Sequence, residues 1–468
     1  MLTKTDNGND VAYKETNHIA SPKVKTSNYS PVMKSKPLPF ILLGIVAVYA
    51  IFVPLVADHA PDNYNYGDIA WMLVSTAFVL LMTPGLSFFY GGMVGKKNVI
   101  STMFQSFIAT GLLSVLWLVV GFGLAFGPSI GGIIGNPASF FMMKGINGGA
   151  PWSLAPTIPL LLFALFQMKF AIITPALVVG ATAERIKFMS YVLFMVLFSL
   201  FIYAPLAHWT WNPDGILFKM GVLDFAGGTV VHISAGCAAL AGSIVLKRRK
   251  VHITGESIKP ARIPYVLLGT GLLWFGWFGF NAGSATAANS LAVDAFANTN
   301  TAAAAAGLAW IFFDMIKGKK ASALGFCIGA VVGLVAITPA AGYVGLPQSI
   351  FIGFVAAIIS NLAVHWKGKT TIDDTLDVFP CHGIGGIVGM ILTGVFASKA
   401  INPAGNDGLL YGGTSFFLHQ VLGCAIVVAF ALIMSFIIFK IVAAVSPMRV
   451  SEEDEFLGLD ITQHDESL

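Results

Sequence analysis

Twelve long apolar stretches are the feature that most limits what this chain can fold into. They lie at about 38–57, 67–93, 99–126, 157–183, 188–207, 225–246, 263–283, 295–316, 321–342, 347–366, 378–398 and 414–446. Each is close to or above the roughly 20 residues that a helix needs to cross a bilayer. With 56% hydrophobic and only 11% charged residues, the chain cannot bury these stretches in one water-soluble core. We predict an all-α polytopic membrane protein of the cell inner (plasma) membrane, with lipid around it.

Charge and cysteine usage exclude several other classes of protein. The net charge of +4 is small, and basic residues do not alternate with aromatic ones in any run, so we expect no nucleic-acid partner. The four cysteines, Cys237, Cys327, Cys381 and Cys424, all lie in apolar stretches. This placement excludes a secreted disulfide framework, and their spacing matches no metal site. We therefore expect no metal site at the cysteines; we also expect no cofactor and no enzymatic activity, with haem ligation by histidine as the one alternative.

The two ends of the chain differ from its apolar middle. Residues 1–37 hold six lysines and three acidic residues and are predicted to be a disordered polar tail, whereas 447–468 hold seven acidic residues and one arginine. Between them, 38–57 forms a hydrophobic leader and 67–446 the transmembrane domain of eleven core spans. The leader is either a signal peptide, cut near 53–57, or a retained signal anchor, and its composition fits both.

Basic residues in the loops predict the orientation of the core. The loops after odd-numbered core spans carry Lys96, Lys97, Arg185, Lys187, the run "KRRK" at 247–250, Lys259, Arg262, Lys317, Lys319, Lys320, Lys367, Lys369 and Arg449. The other loops carry only Lys144, Lys219 and Lys399. Since positive residues accumulate on the cytoplasmic side, the odd loops and the C-terminal tail are predicted to be cytoplasmic.

Eleven core spans suggest two inverted repeats of five spans plus one further span, with a site between the repeats. Under that arrangement span 5 corresponds to span 10. Span 5 carries a single histidine, His232, in "DFAGGTVVHISAG", and span 10 carries His382 in "DVFPCHGIGGIVG". The two histidines thus occupy matched positions in the two repeats.

A histidine inside a membrane costs free energy and usually serves a purpose. Three interpretations are open. The rings are packed polar groups bonded to neighbouring helices, or they ligate a haem iron from two sides, or they share and relay a proton, since histidine changes its charge near neutral pH.

Further residues near the predicted outer surface have two interpretations each. Asp224 precedes His232 by eight residues; it either caps the helix or attracts a cation. Trp211, Trp274, Trp277, Phe280 and Ser284 lie in "HWTWNPDG" and "WFGWFGFNAGSA". Their aromatic rings form either a lipid-facing belt or an inward cage for a small cation.

Five stretches in order make the sequence recognisable. "ATAERIKF", "DFAGGTVVHISAG", "GWFGFNAGSA", "TPAAGYVG" and "DVFPCHGIGGIVG" closely resemble the ammonium transporters of the Amt/Rh family, in its bacterial Amt branch. The resemblance runs from about 67 to 464. It implies a homotrimer with one narrow hydrophobic pore in each subunit, which carries ammonium, ammonia and methylammonium.

The resemblance also implies roles for single residues. Trp211, Phe170 and Ser284 match an outer ammonium site that Asp224 stabilises. Phe170 and Phe280 match a stacked phenyl gate, Trp277 lines the pore, and His232 and His382 match twin histidines that relay the proton of a deprotonated ammonium ion. The transport would then be electrogenic.

The acidic tail "EEDEFLGLDITQHDES" resembles a cytoplasmic regulatory segment that works with PII-type proteins. Gly458 and Asp460 are the tail residues expected to matter most. Two other functions stay open, a Rhesus-like channel for ammonia or carbon dioxide and an ammonium sensor that acts through a cytoplasmic partner. The position of Lys169, beside Phe170, is also open, because a lysine facing the pore would repel a cation.

Overall fold

The computed structural model describes residues 37–53, 64–147, 150–256 and 258–468. The chain divides into two compact units, Met1–Phe52 and Val53–Leu468. In the first unit the helix Leu38–Ala50 is 13 residues long, and none of its residues is buried. This helix is shorter than a typical membrane span of about 20 residues. The predicted polar tail up to residue 36 and positions 54–57 of the leader lie outside the described residues.

The second unit contains all eleven predicted core spans as helices. Spans 1 to 6 are Tyr66–Met93, Lys96–Phe126, Leu160–Thr182, 188–211, Gly228–Leu246 and Ile263–Ala285. Spans 7 to 11 are Ser290–Ile316, Ala323–Ile337, Leu346–Lys367, Phe379–Phe396 and Thr414–Val445. The prediction of an all-α polytopic membrane protein with eleven core spans is therefore confirmed.

Nine of the described helical segments are long and apolar enough to cross a membrane, and spans 7 and 8 fall below that limit. Span 7 is 27 residues long, but polar residues such as Asp294 and Asn298 lower its mean hydropathy. Span 8 was predicted over 321–342, yet its helix has 15 residues and ends at Ile337. Pro339 follows two residues later and cannot continue the helix.

Polar side chains decide where several spans begin. Asn65 accepts a hydrogen bond from the backbone of Asp68 at 3.1 Å, and Asn289 accepts one from Ala292 at 3.0 Å. At the start of span 8, the Ser322 hydroxyl accepts a hydrogen bond from the backbone of Gly325. Each side chain satisfies a backbone N–H group that the first helical turn leaves free. Span 7 starts at Ser290 rather than at the predicted residue 295 because Asn289 caps it there.

Spans 5 and 10 approach each other closely because both carry glycine at their crossing. A Cβ atom on Gly236 would lie 2.2 Å from the backbone nitrogen of Gly383. Only glycine, whose side chain is a single hydrogen atom, permits such an approach. Small residues of this kind are common where membrane helices contact each other. The crossing brings the two predicted histidines to the same depth of the core.

Both crossing spans begin with a π-helical segment, Gly228–Ile233 in span 5 and Phe379–Ile384 in span 10. Two further π-helical segments, Trp117–Gly121 and Ser199–Tyr203, lie inside spans 2 and 4. π-helical turns are rare and often occur at functional sites. His232 and His382 each lie in one of these segments, which supports the predicted correspondence of the two spans.

Short elements complete the second unit. The strands Ser129–Ile130 and Ile134–Gly135 pair antiparallel. The remaining short helices are Ile216–Lys219, Lys250–Thr254, Glu452–Leu457 and Leu459–His464, with 3₁₀ turns at Lys96–Asn98, Phe141–Met143, Gly283–Ala285 and Leu409–Tyr411. Among the described residues, the last two helices form the C-terminal tail.

Candidate functional site

The two histidines form a hydrogen-bonded pair in the middle of the core. Their Nδ1 atoms are 3.2 Å apart, and their rings are inclined by 28°. Both residues are buried, with 1% and 3% of their surface exposed. Since one of two hydrogen-bonded nitrogens must donate, a neutral pair holds a single proton between the rings. Nδ1 atoms in direct hydrogen-bonding contact leave no space for an iron ion between them, so the pair does not have the geometry of axial haem ligands.

Aromatic rings continue the line of the histidines toward the predicted outer end. The Phe170 and Phe280 rings are stacked with centroids 4.2 Å apart and 26° between their planes. Phe280 lies 6.1 Å from the His232 ring, and Trp211 packs edge-on against Phe170 at 5.9 Å. Trp211 therefore packs against this column of rings rather than belonging to a lipid-facing belt.

Hydrogen bonds hold the two tryptophans in this orientation. The Trp277 Nε1 atom donates to the Thr338 hydroxyl at 2.9 Å, and its ring stacks on His232 at 5.4 Å. The Trp211 Nε1 atom donates to the backbone oxygen of Asp224 at 3.0 Å. Each indole thus has its polar edge satisfied while its apolar ring packs against the neighbouring rings.

A narrow cavity runs beside these rings. Its lining is almost wholly apolar and consists of Met82, Leu86, Phe89, Ile173, Leu177, Val231, His232, Leu273, Trp277, Phe280, Val331 and His382. Within the described residues the Nε2 atom of His232 is buried without a hydrogen-bond partner. A small polar solute that entered this cavity would find that ring as its main hydrogen-bonding group.

Asp224 makes the contacts of a helix cap. Its carboxylate accepts backbone N–H bonds from Gly227 at 2.8 Å, Gly228 at 2.7 Å and Thr229 at 2.7 Å, and also binds the Thr229 hydroxyl. The span begins only at Gly228, because Gly227 turns the chain with φ +116°. Span 5 was predicted to begin at residue 225 and begins three residues later, and the contacts expected of Asp224 as a cap are present.

Asp374 repeats this arrangement at the other end of the core, and sequence reasoning missed it. Its two carboxylate oxygens accept from the backbone of Val378 at 3.0 Å and Phe379 at 2.7 Å. Asp374 precedes His382 by eight residues, as Asp224 precedes His232. That shared interval was a signal in the sequence that could have identified Asp374.

Two predicted residues occupy less central positions. The Ser284 hydroxyl is half-buried and donates to the backbone oxygen of Phe280 at 2.8 Å, so it lies one turn above the ring stack. Lys169 is half-buried, and its Nζ atom lies 3.7 Å from the sulfur of Met168. Lys169 is not among the residues that line the cavity beneath the ring stack.

The acidic tail packs onto the first turn of span 2. Asp460 accepts a hydrogen bond from the backbone of Ser101 at 2.8 Å, and Asn98 accepts one from the backbone of Leu459 at 2.9 Å. Gly458 has φ +102°, and a Cβ atom there would lie 2.5 Å from the Cβ atom of Lys97. Burial raises the pKa of Asp460, and the Ser101 bond acts against that shift.

A buried ion cluster joins three loops near the tail. Arg249 binds Asp373 at 2.8 Å and Glu184 at 2.5 Å, and Glu184 also accepts from the backbone of Gly95 at 2.7 Å. Burial alone would raise the pKa of Asp373, but the hydrogen bond and charge of Arg249 and the charge of Arg185 hold it well below its usual range. Asp373 is the neighbour of Asp374, so the cluster adjoins the start of span 10.

Comparison with known proteins places this chain in a family. The sequence profile of the Ammonium Transporter Family matches residues 70–468. An ammonium transporter from Bacillus subtilis is 47% identical over 401 residues, which cover 86% of this chain and 98% of the relative. An ammonium transporter from Archaeoglobus fulgidus is 44% identical over 400 residues, with the same coverage of 86% and 98%.

Solved structures share the fold. The crystal structure of Mep2 from Saccharomyces cerevisiae superposes with a TM-score of 0.79 at 34% identity and covers 84% of this chain and 89% of its own. A structure described as a sensor Amt protein superposes with a TM-score of 0.78 at 30% identity, covering 85% and 98%. Within the part of the chain that the structure describes, no group of three metal-ligating side chains occurs.

Proposed function

We propose that this chain, which belongs to the Ammonium Transporter Family, captures ammonium at its outer end, conducts ammonia through the cavity and relays the proton past His232 and His382. The family and its fold establish a multi-pass membrane protein of the transporter type. The path, the proton relay and the net movement of charge are our proposal, and each step rests on residues described above.

Capture uses the aromatic faces above the ring stack. Ammonium is attracted to the electron-rich face of an indole or phenyl ring, which is worth about 0.5–2 kcal/mol at such sites. Trp211 and Phe170 pack edge to face there, and the Ser284 oxygen lies one turn above Phe280. Asp224 supports the site by fixing the turn whose backbone oxygen holds Trp211.

Selection follows from the stacked phenyl rings and the apolar cavity beneath them. A bare cation that leaves water for such a space loses its hydration without replacement, which is strongly unfavourable. Ammonium and potassium ions are similar in size, but only ammonium can lose a proton and continue as a neutral molecule. The Phe170–Phe280 stack therefore favours deprotonation over passage of an intact ion.

The histidine pair then carries the proton that ammonia leaves behind. Ammonia hydrogen-bonds to a ring nitrogen in the cavity, and the proton passes between the Nδ1 atoms, which are 3.2 Å apart. Ammonia is protonated again at the far end, so one positive charge crosses for each ammonium ion. The observation that carries this proposal is the buried Nδ1–Nδ1 contact directly below the ring stack.

Electrical recording on proteoliposomes tests the relay. His232→Ala and His382→Ala should each abolish the ammonium-dependent current at equal protein density, since either change breaks the pair. His419→Ala is the matched control, because His419 is exposed on span 11 and should leave the current unchanged. Wild-type currents in both pore variants would refute the relay.

An acidic replacement, His232→Glu, should keep part of the current but admit potassium, because it makes the pore more polar.

The outer site is tested by Trp211→Leu. Loss of one aromatic face should raise the methylammonium concentration needed for half-maximal uptake by a few-fold to about thirtyfold. The measurement is the concentration dependence of methylammonium uptake. Trp366→Leu, at an indole with 69% of its surface exposed, should not change it. Identical kinetics in Trp211→Leu and wild type would leave Trp211 without a role in binding.

Assembly and regulation extend the proposal. We infer a homotrimer in the inner membrane, as the family resemblance implies. The loop charges predict that its C-terminal tail lies on the cytoplasmic side. A PII-type protein would then contact the surface that the docked tail helps to form. Deletion of 451–468 should lower transport and weaken binding of that regulator; full transport with unchanged regulator binding would refute a regulatory tail.

A second function is favoured by one comparison. A solved structure described as a sensor Amt protein has nearly the same fold, so the chain could instead report ammonium to a cytoplasmic partner. The two functions differ in turnover. A sensor would bind methylammonium but give little current, and a Rhesus-like gas channel would pass ammonia without current.

A further inference from the structure

The turn between spans 8 and 9 has no part yet in the proposed transport path. It consists of the stretch "TPAAGYVG" at 338–345. From Thr338 to Val344 its residues are buried, apart from the half-buried Tyr343. Connections between helices usually lie at the surface, because buried backbone groups need hydrogen-bond partners. A buried turn of this kind therefore has to be held by specific contacts.

Asn298 of span 7 supplies two of these contacts. Its amide nitrogen donates to the backbone oxygens of Ala341 at 2.9 Å and Val344 at 2.8 Å. Asn298 is buried, with 1% of its surface exposed, so solvent does not compete for these bonds. The backbone oxygen of Tyr343 accepts from Ser398, just after span 10, at 2.9 Å. Spans 7 and 10 thus fix the turn from two directions.

The same turn holds the start of span 5. The backbone nitrogen of Phe225 donates to the oxygen of Pro339 at 3.2 Å. A Cβ atom on Gly228 would lie 2.7 Å from the Cβ atom of Pro339, so the two residues are in close contact. Gly228 is the first residue of the π-helical segment that carries His232. The turn therefore fixes where that segment begins.

The turn also holds the indole that stacks on His232. The Thr338 hydroxyl donates its single proton to the backbone oxygen of Leu334 at 2.7 Å, which leaves its lone pairs to accept from Trp277 at 2.9 Å. The planes of the Trp277 and His232 rings differ by only 19°. One buried turn thus reaches His232 by two routes, through the helix that carries it and through the ring beside it.

We propose that Asn298 and Thr338 are positioning residues of the histidine pair. Asn298 fixes the turn, and Thr338 transmits this fixed position to Trp277 and so to the ring of His232. Neither residue belongs to the described lining of the pore cavity, so both act through other groups. A reacting group displaced by about 1 Å can slow a transfer about a hundredfold. The effect of this positioning on transport rests on the proposed proton relay.

The first test replaces Thr338. T338V keeps the size of the side chain and removes the acceptor of the indole, whereas T338S keeps the hydroxyl. T393V is the matched control, because Thr393 is also buried and donates to a carbonyl four residues earlier, at 2.8 Å. We expect T338V to lower the maximal ammonium current about three- to tenfold, as loss of one hydrogen bond does, and to displace its pH profile. T338S and T393V should match the wild type.

Two further measurements separate positioning from a general loss of stability. The half-saturating methylammonium concentration should stay unchanged in T338V, because Trp211 and Phe170 are untouched. A variant that is merely less stable would lower the amount of folded protein, seen by gel filtration, without displacing the pH profile. N298A should displace the profile in the same way with a larger loss, about tenfold or more, because two bonds are removed.

Nitrogen NMR of ¹⁵N-histidine-labelled protein tests the positioning independently of transport. The Nδ1 signals of the pair, assigned by their loss in H232A and H382A, should shift in T338V and N298A but not in T338S or T393V. Shifted signals in a protein whose wild type carries no ammonium current would support the positioning and refute the relay. Wild-type signals in T338V, or equal shifts in T338V and T338S, would overturn the positioning. Should N298A fail to fold, T338V and T338S decide the outcome.

Discussion

At the residue scale, the proposed transport site includes two aspartates as well as two histidines. Asp224 and Asp374 each lie eight residues before a histidine, and each accepts backbone N–H bonds from the start of a π-helical segment. Hydrogen bonds to a carboxylate are worth about 1.5–3 kcal/mol when they are buried. Both aspartates therefore hold the first turn of the helix that presents the ring.

Asp374→Asn tests this positioning role. The amide keeps one acceptor oxygen and loses the other, so the bond from Val378 or from Phe379 is lost and the His382 ring becomes less well placed. We expect an ammonium current reduced about tenfold, because the loss of one such bond is worth about 1.5 kcal/mol, together with a displaced pH profile of the current.

Asp224→Asn is the matched variant, since it removes one oxygen from the corresponding cap of span 5. Both variants should assemble normally, as judged by gel filtration. An Asp374→Asn protein with the wild-type current and pH profile would show that the His382 ring is held by other contacts.

At the element scale, the C-terminal tail is a docked pair of short helices rather than a solvated end. Glu455 binds Arg449 at 2.7 Å and accepts from the backbone of Lys250 at 2.6 Å, while Asp460 caps span 2. The turn between the two helices is Gly458, whose positive φ suits glycine. Gly458 therefore forms the turn through which the tail docks on the start of span 2.

Gly458→Asp should release the tail. The new side chain meets both an unfavourable φ and the Lys97 side chain, at 2.5 Å from its Cβ atom. Amide hydrogen exchange over 452–464 should become faster, and ammonium current should fall without loss of protein from the membrane.

Gly255→Asp provides the control, because Gly255 also has positive φ, at +74°, but nothing lies within 4 Å of its Cβ position. Equal effects of the two changes on exchange in the tail would mean that contact with Lys97 does not hold it.

At the scale of the whole molecule, one buried cation joins loops that are far apart in sequence. Arg249 follows span 5, Glu184 follows span 3 and Asp373 precedes span 10. Burial lowers the pKa of Arg249, but hydrogen bonds and charge from Asp373 and Glu184 outweigh that effect and raise it. The cluster therefore ties together the ends of the helices that carry both histidines.

Arg249→Met should destabilise the protein strongly. It leaves two carboxylates buried without a partner, and breaking a buried ion pair in this way costs about 3–5 kcal/mol. Thermal unfolding of the protein in detergent measures the effect. Lys250→Met removes the neighbouring, exposed pair with Glu452 and should cost at most about 1 kcal/mol. A similar melting temperature for the two variants would contradict a structural role for the cluster.

The apolar stretches of the chain located every core span, although span 7 begins five residues earlier and span 8 ends five residues earlier than predicted. The number of spans then paired span 5 with span 10 and singled out His232 and His382. The reason is physical, since a bilayer demands about 20 apolar residues per helix and makes each polar exception costly. The resemblance to a known family added the phenyl rings and the tail. The interval of eight residues between Asp374 and His382 was also present in the sequence. Its significance became clear only from the hydrogen bonds by which Asp374 caps span 10.

Only the tertiary structure decided which side chains meet. Hydropathy is summed along the chain and carries no information about rotation around each helix axis, so it could not tell whether Trp211 faced lipid or Phe170. The approach of the two histidine rings depends on the glycines where spans 5 and 10 cross and on π-helical turns, which alter the direction of every later side chain. The partners of Arg249 come from loops more than 60 residues away on either side, and only packing brings them together.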